Sequence, residues 1–175
     1  PPKELTIKFD PTAEVEIKIL NFNGLGFEDR INCEIFPVEK TNNYGGFSYL
    51  LPDSKGIITA SPMSPGKYKI KIQIRSSRYS YIPLVEETSD IESGKNQFDL
   101  ELPDLYTITV NVNDENTKNT MVYISKETKP KSYTNIANVE VKNGKAVFDI
   151  PPGEFSVIYK GKSKKFSVPA ETNIS

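Results

Sequence analysis

The stretch that most limits what this chain can become is Ser64-Pro65-Gly66-Lys67-Tyr68-Lys69-Ile70-Lys71-Ile72-Gln73-Ile74. A Pro-Gly turn launches a run in which Tyr68, Ile70, Ile72 and Ile74 alternate with Lys67, Lys69, Lys71 and Gln73. Period-2 alternation places one set on a buried sheet face and the other in solvent, and no helix tolerates it. The same device returns at Pro151-Pro152-Gly153-Glu154-Phe155-Ser156-Val157-Ile158-Tyr159. No segment carries a sustained helical period, so the chain is predicted to be all-β, built from short strands and turns.

Further strands are predicted from the same alternation. They are Leu5 to Phe9, Ala13 to Ile19, the segment around Cys33 as far as Pro37, Phe47 to Leu51, Ile57 to Ala60 and Asn96 to Leu102. After Pro103-Asp104 the alternation restarts in Tyr106, Ile108, Val110 and Val112, followed by strands at Met121 to Ile124, Ala146 to Ile150, Phe155 to Tyr159 and Lys165 to Val168. Tyr79, Tyr81 and Pro83 suggest an edge strand, while the polar runs Glu86 to Asp90 and Ser125 to Asn135 read as loops. Cys33 shares a face with Ile31 and Ile35, as a small core residue would.

The halves can be laid over each other on their turns. Gly56 and Gly66 are 10 residues apart, Gly144 and Gly153 are 9 apart, and each pair is followed by a strand with an early aromatic residue. This spacing implies duplication of one module, with modules at 1–103 and 104–175. The join Leu102-Pro103-Asp104-Leu105 has neither glycine nor serine, so a stiff connection is expected.

Composition closes several routes to function. The 22 basic and 23 acidic residues nearly cancel and are interspersed, which disfavours a phosphate-neutralising nucleic-acid surface. No apolar run is long enough for a membrane-spanning helix. The chain opens on Pro1 rather than methionine, as one trimmed of a leader would. With no histidine and one cysteine, histidine-based nucleophilic mechanisms, histidine zinc sites and thiolate clusters are excluded within the chain. Glu86, Glu87, Asp90 and Glu92 lack the spacing of a calcium loop, so neither a metal nor a cofactor is expected. The remaining candidates are aromatic: Tyr44, Phe47 and Tyr49 in one cluster, and Tyr79 and Tyr81 beside Arg75 and Arg78 in the other. Exposed rings of this kind stack on sugars, with nearby polar groups for the hydroxyls.

The strand-turn-strand from Asn143 to Val157 resembles the carboxypeptidase regulatory-like, or transthyretin-like, β-sandwich, and the first unit resembles it mainly from Asp53 to Leu102. Bacterial CNA-B-like surface modules look similar. The resemblance implies two tandem Ig-like or transthyretin-like antiparallel sandwich modules, non-catalytic, in a secreted, cell-surface or periplasmic protein. The implied role is structural or protein-interacting, with a protein partner or adjacent domains, and the alternative is a carbohydrate-binding accessory module. In the CNA-B-like group a lysine and an asparagine can form an isopeptide bond, for which Lys8 and Asn96 are the candidates here.

Overall fold

A computed structural model describes residues 12–23, 25–39, 46–77, 80–113, 120–129 and 132–175. The predicted strand at Leu5 to Phe9 lies outside them, as do Lys8, Tyr44, Arg78 and Tyr79. In the first half the strands are β1 (Ala13–Ile19), β2 (Ile31–Pro37), β3 (Phe47–Leu50), β4 (Ile57–Met63), β5 (Gly66–Ser77), β6 (Ser80–Ile91) and β7 (Gly94–Leu100). The second half holds β8 (Tyr106–Asn111), β9 (Met121–Lys129), β10 (Ser132–Glu140), β11 (Lys145–Ile150), β12 (Gly153–Tyr159), β13 (Lys162–Val168) and β14 (Asn173–Ile174). A 3-10 turn, Glu28–Arg30, precedes β2.

Strand pairing gives each half one three-stranded and one four-stranded sheet, β4-β1-β7 with β3-β2-β5-β6, and β11-β8-β14 with β10-β9-β12-β13. The two patterns are the same when β1 to β7 are matched in order to β8 to β14. Each half opens on a central strand with one antiparallel neighbour, β4 or β11, and one parallel neighbour, β7 or β14. That shared order turns the repeat of turns seen in the sequence into a repeat of topology. No pairing between described strands crosses residues 101–105.

The alternation decides which faces meet. In the first half Val15, Ile17, Ile19, Ile58 and Ala60 from one sheet are buried together with Cys33, Ile35, Ile70, Ile72 and Ile74 from the other. Each fully buried isoleucine removes enough apolar surface from water to contribute roughly 1.5–3 kcal/mol. Val110, Ala146 and Phe148 meet Val122, Ile124, Phe155 and Val157 in the same way in the second half. Cys33 is fully buried, and burial pushes its thiol up to about 12.

Turns are set by residues that accept a left-handed backbone. Asn143 and Gly144 have φ of 51° and 71°, and Lys142 and Lys145 exchange backbone hydrogen bonds of 2.8 and 3.0 Å around them. Positive φ at both central residues is the two-residue hairpin whose twist suits flanking strands. Asp53 shapes the equivalent turn, its Oδ1 accepting from the backbone N–H groups of Lys55 at 2.8 Å and Ile57 at 2.9 Å.

Two expected loops are strands. The run Glu86 to Asp90 belongs to β6, where Glu86 and Glu87 stand opposite Lys71 and Ile70 of β5. This strand edges its sheet, so polar side chains cost little there, and Lys69 pairs with Glu86 across it at 2.5 Å. Ser125 to Asn135 forms the β9–β10 hairpin except for residues 130–131, which are not described, and Ser125 pairs with both Asn135 and Ser156. Strand β4 runs on past the expected Ile57 to Ala60 through Ser61-Pro62 to Met63, and as an edge strand it tolerates the proline.

Candidate functional site

Tyr49 sits in β3 with φ of 62° and is 62% exposed, an unusual backbone for a non-glycine residue and an unusual exposure for a ring. Its ring meets that of Tyr81 on β6 edge-on, with centroids 6.0 Å apart and planes at 67°. The fold thus joins one member of each aromatic cluster seen in the sequence. Arg75 is exposed and stands opposite Tyr81 in the β5–β6 register. Phe47 belongs elsewhere: it is half-buried and packs against the core.

Beside Tyr81 the two halves meet. Strand β10 lies against β5 and β6, and a cleft of about 650 Å³ opens between them. One wall carries Lys71, Tyr81, Pro83, Leu84 and Glu86, and the other Lys126, Glu127, Thr134, Asn135 and Ile136. Charges on the walls are engaged nearby. Lys71 lies 3.8 Å from Glu34, Glu86 binds Lys69, and Glu127 lies 3.4 Å from Lys165. The Glu127 carboxylate, hydrogen-bonded to Lys165, raises that ammonium group above its ordinary value.

Polar burial marks the face that β10 approaches. Alternation puts Gln73 on the solvent side of β5, yet it is only 2% exposed, and its partner Asn32 on β2 only 4%. Gln73 Nε2 donates to Asn32 Oδ1 at 2.9 Å, whereas Gln73 Oε1 is buried without a hydrogen-bond partner. Sequence reasoning does not reach the burial of Gln73, which pairs with Asn32 on a strand some forty residues away, nor Thr134 and Asn135, whose polar run carries no strand alternation. The one available signal was Gln73 itself, the uncharged position among the lysines of the polar face.

The joint between halves is pinned at one further point, Arg30 to Asp149, and within the first half Asn21 fixes the strand end that leads into it. Asn21 uses both ends of its carboxamide on Leu102, Nδ2 donating to the carbonyl at 2.9 Å and Oδ1 accepting from the amide at 3.1 Å. Arg30 lies 3.0 Å from Asp149 Oδ2, and Thr107 donates to Asp149 Oδ1 at 2.8 Å. Buried apolar residues of both halves, Leu102 among them, form one continuous cluster.

Of the isopeptide candidates, Lys8 lies outside the described residues. Asn96 closes the turn between β6 and β7, accepting from the Glu92 amide and donating to the carbonyls of Glu92, Gly94 and Glu14. Glu16 is held below its ordinary value by hydrogen bonds from Lys95 and Gln97, and Asp53 by the Ile57 and Lys55 amides. Among the described residues, no three His, Cys, Asp or Glu side chains gather as a metal site would require.

Sheet order and core together define the class: an all-β chain of two Ig-like β-sandwich units sharing one topology. No protein-family model matches the chain, and no curated protein matches it. Among solved structures it is similar to the Bacillus anthracis TIE protein, at 18% identity and a TM-score of 0.34, over 94% of this chain and 33% of that one. It is also similar to a streptococcal ancillary pilin, at 12% identity and a TM-score of 0.38, over 94% of this chain and 61% of that one. A third similarity, at 11% identity and a TM-score of 0.37, is to a DUF3823 family protein from Parabacteroides merdae, over 91% of this chain and 99% of that one. The chain spans less than two thirds of the first two proteins. Likeness at these values carries no argument about function.

Proposed function

We propose that the chain is a non-catalytic structural and protein-interaction unit of a secreted or cell-surface protein, in which two sandwich modules, 1–103 and 104–175, are held in one fixed arrangement. The transthyretin-like assignment of both modules belongs to this proposal. The observation that carries the reading is the joint. A tether alone would leave the halves free, whereas here Arg30 reaches Asp149, β10 lies against β5 and β6, and the buried apolar residues of both halves form one cluster. Such a body holds what it presents at set distances, which is what a spacer or a contact module requires.

The contact surface we assign is the β2–β3 edge. Phe36, Val38, Tyr49 and Leu51 are large apolar residues left 37 to 68% exposed there, and β3 ends its sheet. A partner strand can add to such an edge through main-chain hydrogen bonds while its side chains meet the exposed rings.

Small-angle scattering from the chain in solution tests the fixed arrangement. One compact particle is expected whose profile changes little with salt between about 50 and 500 mM, since the shared apolar cluster is not screened and the Arg30–Asp149 pair is only one part of the joint. A profile requiring a wide spread of distances between halves would refute the proposal.

A further inference from the structure

We propose that the cleft between the halves binds a neutral oligosaccharide, with Tyr81 as its stacking platform and the β10 wall as its hydroxyl reader. This inference rests on the fixed joint proposed above, because the two walls come from different halves. The geometry supplies the two things a sugar needs. A pyranose presents an apolar C–H face and an edge of hydroxyls, so its site combines an aromatic plane with uncharged polar groups. Tyr81 gives the plane. Its orientation is set by the edge-on contact with Tyr49, and an edge-on partner covers at most one face of the ring. Across from it, Thr134 and Asn135 bring a hydroxyl and a carboxamide, beside the apolar Ile136.

Charge selects among small ligands. The walls carry Lys71 and Lys126 against Glu86 and Glu127, so the formal charges cancel. A phosphate or polyanion gains no net attraction from that set. Volume agrees as well, since about 650 Å³ falls within the roughly 300–1,000 Å³ of small-molecule sites.

The test is saturation-transfer NMR on the full chain with maltotriose, cellotriose and N-acetylchitotriose as probes, accompanied by amide shift mapping. We expect transfer to at least one probe, with shifts on both walls. Tyr81→Ala should abolish transfer and Tyr81→Phe should keep it, because stacking needs the ring and not the hydroxyl. Asn135→Ala, at an exposed strand position that does not carry the fold, should weaken binding roughly 2- to 10-fold, the loss of one hydrogen bond. No transfer from any of the three probes, transfer unchanged in a folded Tyr81→Ala, or shifts confined to one half would each overturn the inference. With scattering still showing a fixed particle, such a result removes the saccharide site alone. A flexible particle removes both proposals.

Discussion

Gly56 and Gly144 occupy equivalent turns in the two halves, and replacing each by alanine separates backbone strain from side-chain crowding. Both have left-handed backbones, with φ of 77° and 71°. An L-residue there costs about 1–2 kcal/mol, the same in both turns. Their surroundings differ. A Cβ on Gly56 would stand 2.5 Å from Cβ and 2.6 Å from Cγ of Phe22, which is itself buried, whereas on Gly144 the nearest atom is the Val112 carbonyl oxygen at 3.3 Å. Forcing Phe22 aside is overpacking, worth about 1–3 kcal/mol more. Gly56→Ala should therefore cost roughly 2–5 kcal/mol and Gly144→Ala roughly 1–2 kcal/mol. The chain has no tryptophan, so urea unfolding is followed by far-UV circular dichroism, with stability compared at a common m-value. Phe22→Ala removes the Cγ contact, so Gly56→Ala and Phe22→Ala together should cost less than the sum of the two alone, a favourable coupling visible in a double-mutant cycle. Equal costs for the two glycines, or no coupling to Phe22, would refute the assignment of Gly56 to a close approach.

Acid should destabilise the fold from about pH 4.5 downward. The folded values of Glu16 and Asp53 lie below the ordinary 4.5 and 3.8. Their stabilising contributions are therefore complete above the ordinary values and vanish as pH falls through the lowered ones. Glu16→Gln with Asp53→Asn should flatten that limb in urea titrations between pH 2 and 5, and an unchanged slope would count against both hydrogen-bond sets. Cys33, buried with its thiol raised to about 12, should resist iodoacetamide at pH 8 in the folded chain and react on unfolding. Rapid labelling without unfolding would contradict its place in the core.

Much of the fold is legible in the residues because apolar alternation and turn glycines act locally. Tyr68 to Ile74 reveal their buried face without help, and the Gly56, Gly66, Gly144 and Gly153 spacing carries the duplication that sheet order displays in full. What escaped was set by partners distant in sequence. Glu86 to Asp90 and Ser125 to Asn135 have no apolar alternation of their own, and become strands because β5, β9 and β12 supply their hydrogen bonds. Strand β14 was missed for the same reason, being held by parallel pairing to β8. The candidate site was half legible. Tyr49 and Tyr81 could be named from the sequence, but their meeting and the burial of Gln73 depend on how β3, β2, β5 and β6 assemble, and the opposing wall of Thr134 and Asn135 exists only once the halves are brought together.

The central claim is that the two halves form one body, and a distance between them tests it most directly. Nitroxide labels at Lys95 in the first half and Lys142 in the second, both exposed, give that distance by pulsed electron spin resonance. A single narrow distribution is predicted, broadening when Asp149→Ala removes the Arg30 contact and the Thr107 hydrogen bond together. A broad distribution in the unsubstituted chain, unchanged by Asp149→Ala, would contradict the account.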